Sequence, residues 1–254
     1  MEIMHPFPRQ TVMGRVRPPP DYGNNVSFST VNNKSGFRDN RETGDTAMKA
    51  YHKIQTVFLR DPETKYKSLL EGTFAKPEFE YLKKNMWIFT EKVDGTNIRV
   101  QWDGDSLSFF GKTDRAETPP HLLKKLEELF KPDTFKNCEL PPLCLYGEGY
   151  GAKIQKGGGN YIPDGVSFIL FDVNIEDMWL ERHNVEDIAA KLNIEAVPIV
   201  GKGTLIEGVE MVKNGFTSKL RKTPPEGIVM RPEVELFNRR GERVIAKIKM
   251  QDFA

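Results

Sequence analysis

A chain of 254 residues with 38% hydrophobic and 29% charged residues can bury a core without disulfide staples, and it reads as a soluble globular protein. No apolar run approaches the ~18 residues of a membrane span, and Met1–Gln10 lacks the apolar centre of a signal peptide. A formal net charge of +1 excludes duplex wrapping by bulk basicity, so a nucleic-acid partner would need a local basic groove.

Residues 1–47 are rich in Pro, Asn, Gly and Ser and hold few clustered apolar side chains, which predicts a loose N-terminal extension. Residues 48–254 then read as one domain. "YHKIQTVFLRD" (51–61) and "NMWIFTEKV" (85–93) have strand character. "TNIRVQWDGDSLSFFGKT" (96–113) predicts a hairpin turning at Asp103-Gly104, with Ile98, Val100 and Trp102 on one face. Asn97, Arg99 and Gln101 are expected on the opposite, solvated face. "PPHLLKKLEELFK" (119–131) predicts a helix, with proline at its start and Leu122, Leu126 and Leu129 at helical spacing. "LCLYGEGYG" (143–151) and "VSFILFDVN" (166–174) are short, apolar and glycine-bounded, and so predict buried strands. "NVEDIAAKLNI" (184–194) predicts a helix capped by Asn184, and "TLIEGVEMV" (204–212) one with Thr204 and Glu207 in capping-box spacing. "EGIVMRP" (226–232) and "RVIAKIKM" (243–250) close the chain as strands. Interspersed helices, strands and hairpin signals predict an α+β fold with mainly antiparallel sheets rather than a doubly wound one. Trp87, Trp102 and Trp179 are expected in the core, and the four histidines have no ligand-like spacing. Cys138 and Cys144 also lack metal-ligand partners, which suits a reducing, cytoplasmic location.

Charged islands interrupt otherwise apolar strands at Lys92-Asp94, Glu148, Asp172, Glu226–Arg231 and Lys247–Lys249, several of them beside glycines that would let a ligand approach. A free lysine, with pKa ~10.4, must lose its proton to act as a nucleophile. Lys247 and Lys249 are two apart in a predicted strand and so face the same way. Two such ammonium groups would disfavour a third charge beside them and neutralise a polyphosphate, each contact worth about 4 kcal/mol at ~4 Å and an effective dielectric near 20. Glu148 and Glu226 suit a sugar hydroxyl or a divalent metal, and Phe171 offers a ring face to a base.

Taken together and in order, "EKVDGTN", "LYGEGYG", "FILFDV", "PEGIVMRP" and "RVIAKIKM" resemble the motifs of the covalent nucleotidyltransferases, the superfamily of ATP-dependent DNA and RNA ligases and mRNA capping enzymes. The similarity runs from about residue 51 to 250 and is greatest to RNA ligases of the RNA ligase 2 type, whose Gly-Glu followed by Ile-Gln-Lys is matched in "YGEGYGAKIQKG". The resemblance implies a nucleotidyltransferase fold, with antiparallel sheets and flanking helices around a nucleotide cleft, ATP and Mg²⁺ or Mn²⁺ as cofactors, and RNA ends as partners. Lys92 would form a lysyl-AMP, the AMP would pass to an RNA 5′-phosphate, and a 3′-hydroxyl would then displace it. In the same light Glu91 would meet the adenine edge, Glu148 the ribose and Phe171 the adenine face. Asp94 and Asn97 belong to the nucleotide-binding motif, and Asn97 stands where DNA ligases and capping enzymes carry arginine. Glu226 would organise the metal, and Lys247 and Lys249 would contact the α-phosphate and the departing pyrophosphate. Lys112 takes the place of a nucleotide-contacting arginine, with Arg115 as its rival.

Three features depart from the pattern or stand outside it. Asp94 follows the DNA-ligase pattern. The chain ends four residues after Met250, without the OB-fold or helical domain of the relatives, a role expected to fall to a protein partner or the N-terminal extension. Lys153 and Lys156 before "GGGN" read equally as a phosphate loop or a basic surface loop. The rival functions are a minimal DNA ligase or GTP-using guanylyltransferase, and a non-sealing sensor of RNA ends.

Overall fold

The computed structural model describes residues 50–253; the expected N-terminal extension lies outside them. In chain order the elements are β1 (Gln55–Thr56), β2 (Phe58–Arg60), β3 (Leu69–Phe74), α1 (Pro77–Tyr81), β4 (Trp87–Lys92), β5 (Thr96–Trp102), β6 (Leu107–Phe110), α2 (Pro120–Leu129) and α3 (Pro132–Asn137). There follow β7 (Leu143–Gly151), β8 (Val166–Ile175), β9 (Met178–Trp179), α4 (Arg182–Lys191), β10 (Glu195–Ala196), β11 (Ile199–Gly203), α5 (Leu205–Asn214), β12 (Gly227–Pro232) and β13 (Ala246–Lys249).

The strands form two principal sheets. The first has the order β1-β13-β12-β4-β11, and the second β10-β8-β7-β5-β6 with β9 paired to β8; β2 and β3 form a separate hairpin. Pairing is antiparallel except at β1–β13 and β10–β8. This is the mixed α+β, mainly antiparallel architecture that the interspersed patterns predict. The chain passes from the first sheet to the second between β4 and β5, through Val93-Asp94-Gly95. Lys92 therefore ends one sheet, while Asn97 lies one residue inside the start of the other at Thr96.

Each sheet carries its own core. Helix α2 sets the fully buried Leu122 and Leu126 against Ile98, Val100, Phe168 and Leu170 of the second sheet. Burying each such leucine contributes about 1.5–3 kcal/mol. Helix α5 covers the first sheet, packing Leu205, Val209 and Val212 on Trp87, Phe89, Ile228 and Ile248. Its start is the capping box that Thr204 and Glu207 imply, with both reciprocal bonds made. A smaller cluster of Val93, Tyr150, Ile169 and Val197 bridges the sheets.

Several local expectations are corrected. The strand read at 51–61 breaks into β1 and β2, because Val57 donates its N–H to Lys247 while β2 turns away to pair with β3. Helix α4 starts three residues earlier than a cap at Asn184 implies, with Glu181 as an N-cap lacking a side-chain bond. Arg99 is fully buried rather than solvated. The loop after β6 folds over it, Gly111 accepting from its Nε at 2.9 Å and Asp114 from its guanidinium at 2.6 Å. The glycines of β7 admit side chains rather than a ligand: a Cβ on Gly147 would strike the Phe168 ring, and one on Gly149 would strike Leu122. Trp87 and Trp102 are buried and Trp179 is half-buried. Cys138 and Cys144 are not joined in a disulfide, and burial pushes the Cys144 thiol up to about 12.

Candidate active site

Strand alternation decides which side chains meet between the sheets. On β4, Thr90 and Lys92 share a face and Glu91 points the other way. Antiparallel register sets Gly227 of β12 opposite Lys92 on one side and opposite Lys249 of β13 on the other. With no side chain at Gly227, the two lysines converge on the neighbouring Glu226. Lys92 Nζ donates to Glu226 Oε2 at 2.7 Å, and Lys249 Nζ donates to Oε1 at 2.6 Å. The carboxylate is 13% exposed and the amines 21% and 23%, so the pairs are shielded from solvent without being sealed. Lys247, two residues before Lys249, has its pKa lowered by burial and by the Lys92 and Lys249 charges.

A cavity of about 360 Å³ opens beside this triad, within the size range of small-molecule sites. The first sheet contributes Thr90, Lys92, Val229, Arg231 and Lys247; the second contributes Asn97, Glu148 and Phe171. Asn97 and Glu148 are direct cross-strand partners. Asn97 Oδ1 is buried without a hydrogen-bond partner. Such an orphan acceptor is costly unless something else satisfies it. Burial pushes the Glu148 carboxyl up to about 7, with Glu226 and Asp94 adding to the rise and Lys92 opposing it.

Gly95 lets this corner close. A Cβ there would collide with the Gly149 carbonyl and lie 2.8 Å from Glu148 Cγ. That steric demand gives the Lys-Val-Asp-Gly turn a structural reason for its glycine.

The raised Glu148 pKa has a testable sign. An acid whose folded pKa lies above its ordinary value stabilises the fold less as pH rises between the two values. Between pH 4.5 and about 7 this group's contribution is progressively lost. Glu148→Gln is therefore expected to raise unfolding free energy at pH 8 by on the order of 2 kcal/mol, and to gain little at pH 4. Denaturant melts of both proteins across that range check it; equal pH profiles would contradict it.

Among the residues to which the sequence points, Glu91, Lys92, Asn97, Lys112, Glu148, Phe171 and Lys247 line this one cavity. Glu226 and Lys249 reach it through their ion pairs with Lys92. Two placements differ from expectation. The Glu91 carboxylate, 1% exposed, is turned to the opposite face of the sheet, where it takes the Ser218 hydroxyl and the Lys219 N–H. Asp94 is not among the lining residues; its N–H is bound by the Tyr161 hydroxyl. Arg115 does not line the cavity either, whereas Lys112 does.

The sequence reading missed the segment Tyr51–Ile54, which forms part of the cavity wall. Burial, aided by Arg243, lowers His52 to about 4, so it is neutral at pH 7. Asp172 is a structural anchor rather than a candidate reactive group: fully buried, it accepts from Tyr51 at 2.8 Å, from Arg231 at 2.9 Å and from Arg243.

No group of three or more His, Cys, Asp or Glu side chains is arranged for a metal ion among the described residues. Both oxygens of Glu226 are already taken by lysines. A metal cage built from protein alone thus does not fit. A hard divalent ion bound mainly by phosphate oxygens and water, with one or two carboxylates such as Glu226 or Glu148, does.

No curated protein matches the sequence. Solved structures of Naegleria gruberi RNA ligase share the fold. A lysine-to-alanine mutant with ATP and Mn matches at TM-score 0.55 and 20% identity, covering 68% of this chain and 51% of that one. An apo aspartate-to-alanine mutant gives 0.56 and 18%, covering 79% and 56%, and a lysine-to-methionine mutant with AMP and Mn gives 0.55 and 18%, covering 77% and 56%. The chain spans about half the length of these proteins. The RNA ligase family model matches residues 85–249, from just before β4 to the end of β13, and so takes in both walls of the cavity. The chain belongs to the RNA ligase family.

Proposed function

We propose that this protein is an ATP-dependent RNA ligase that joins 5′-phosphate and 3′-hydroxyl ends through Lys92. The observation that carries the reading is a lysine at the mouth of a nucleotide-sized cavity, paired to a carboxylate it shares with Lys249 and flanked by Lys247. The neutral Lys92 amine attacks the α-phosphorus of ATP, an N–P bond forms, and the bond to pyrophosphate breaks. Lys247, whose charged form is already disfavoured, gains most from an incoming anion, and with Lys249 it takes up the charge of the departing pyrophosphate. Lys112 adds a further cation at the rim. Phe171 lies against the base, and Asn97 and Glu148 meet the sugar side. What Glu91 offers the adenine edge is its backbone, since its carboxylate is engaged elsewhere. A divalent metal, when bound, compensates phosphate charge. The AMP then moves to an RNA 5′-phosphate, and the 3′-hydroxyl displaces it, forming the phosphodiester and releasing AMP.

Asn97, which stands where the other superfamily branches carry arginine, is the reason the sealing step is assigned to RNA rather than DNA. No helix among the described residues is long and apolar enough to cross a membrane. On this reading a consumer of ATP and cellular RNA works inside the cell.

The test is incubation with α-labelled ATP or GTP and Mn²⁺, followed by nicked RNA or nicked DNA. Label on the protein from ATP, and joined product on RNA, are expected. Label from GTP alone, joining of DNA alone, or label without joining on any substrate would contradict the assignment.

A further inference from the structure

Three residues carry the chain from Lys92, the end of β4, to β5, and one distant loop holds backbone groups of two of them. Asp94 donates its N–H to the Tyr161 hydroxyl at 3.0 Å, across 67 residues of sequence. The Gly95 carbonyl accepts from Gln155 Nε2 at 3.0 Å, across 60 residues. Both side chains come from the segment "AKIQKGGGNYIP" between β7 and β8, the stretch whose lysines read equally as a phosphate loop or a basic surface loop.

Tyr161 is itself fixed from two sides. Its ring meets Tyr150 edge-on with centroids 5.6 Å apart, and the Arg221 guanidinium lies 4.9 Å from its centroid. Arg221 belongs to the segment before β12. The Ser218 hydroxyl there accepts from the Arg221 N–H and donates to the Glu91 carboxylate behind β4. The residues on both sides of Lys92 are thus gripped: Glu91 through Ser218, and Asp94 through Tyr161. The two grips meet at the contact between Arg221 and Tyr161.

We infer that Tyr161 is a positioning residue for the Lys92 amine, acting through the Asp94 N–H with Gln155 as its companion and Arg221 as its support. This rests on the reading of Lys92 as the nucleophile. It gives the 152–164 loop a role in aiming the reactive strand end rather than in binding phosphate. A misplacement of about 1 Å in a reacting group can cost about 100-fold in rate.

The test compares wild type with Tyr161→Phe, which keeps the ring and its contacts and removes the hydroxyl acceptor. Single-turnover labelling by ATP is expected to slow about 10- to 100-fold at saturation, while the ATP concentration for half-maximal rate changes less than about twofold. Modification of Lys92 by pyridoxal 5′-phosphate and borohydride, read by peptide mass spectrometry, is expected to move the other way and rise several-fold, because a slackened turn frees the amine from Glu226. A general loosening of the fold would instead raise modification of lysines throughout the chain and lower the thermal midpoint; that pattern, or unchanged reactivity of Lys92 toward the reagent, would overturn the inference. The reagent needs no ligase activity. A wild type that fails to take label from ATP would therefore sink the ligase reading, while the change in Lys92 modification would still decide the positioning role. Gln155→Glu, which loses the donor to Gly95 at nearly constant volume, is expected to show the same pair of opposite changes at smaller size.

Discussion

Lys92→Arg is expected to abolish transfer of label from ATP to the protein, a loss of at least about 10⁴-fold, with the fold intact. Arginine retains the positive charge and the partnership with Glu226, but it stays protonated and cannot become the nitrogen nucleophile. Lys92→Ala should behave alike, because Glu226 keeps its second cation in Lys249 at 2.6 Å and is not left as an unpaired buried charge. Gel labelling with thermal melts of all three proteins checks both halves of the expectation. Residual label above a hundredth of wild type in either variant would show that another group reacts. Glu226 has a double part here. It holds the amine in place, yet the same contact must open before the nitrogen can attack.

The second large effect lies away from the reactive amine. Asp172→Ala is expected to lower unfolding free energy by about 3–5 kcal/mol, because it strips the shared anion from Arg231 and Arg243. Asp172 is fully buried, and Arg243 is nearly so. Arg243 would keep Glu235, which accepts from two of its nitrogens at 2.7 Å. Arg231 and the Tyr51 hydroxyl would keep much less. Urea melts check the value, and a loss under about 1 kcal/mol would mean that solvent reaches the cluster. Since Tyr51, Phe171 and Arg231 all border the cavity, the variant should also bind nucleotide more weakly, as a consequence of a slackened wall.

These two effects mark where the sequence was and was not legible. The motif spacing led to Lys92, Asn97, Glu148, Phe171 and Lys247, and these residues do line one cavity. Alternation along a strand and a glycine-bounded apolar run are local properties, so they can be read without a partner. Pairing between distant segments is not local. Asp172 looked like another charged island because its partners lie 59 and 71 residues further on, and Tyr51 lies 121 residues before it. Arg99 looked solvated because hairpin alternation puts it on the polar face; only the fold of the Gly111–Asp114 loop over that face buries it. The Glu91 placement could have been found: counting by twos from Lys92 turns Glu91 away from the cavity. The bracing by Tyr161 had no signal of that kind, since a tyrosine in a glycine-rich loop does not reveal which backbone N–H it will meet.

The most direct measurement is to map the bond itself. After incubation with ATP and Mn²⁺, proteolysis under mildly alkaline conditions and mass spectrometry should find one AMP per chain, joined by an acid-labile N–P bond to the nitrogen of Lys92. AMP found on Lys247, Lys249 or Lys112, or held only non-covalently in a protein able to seal RNA, would contradict the account.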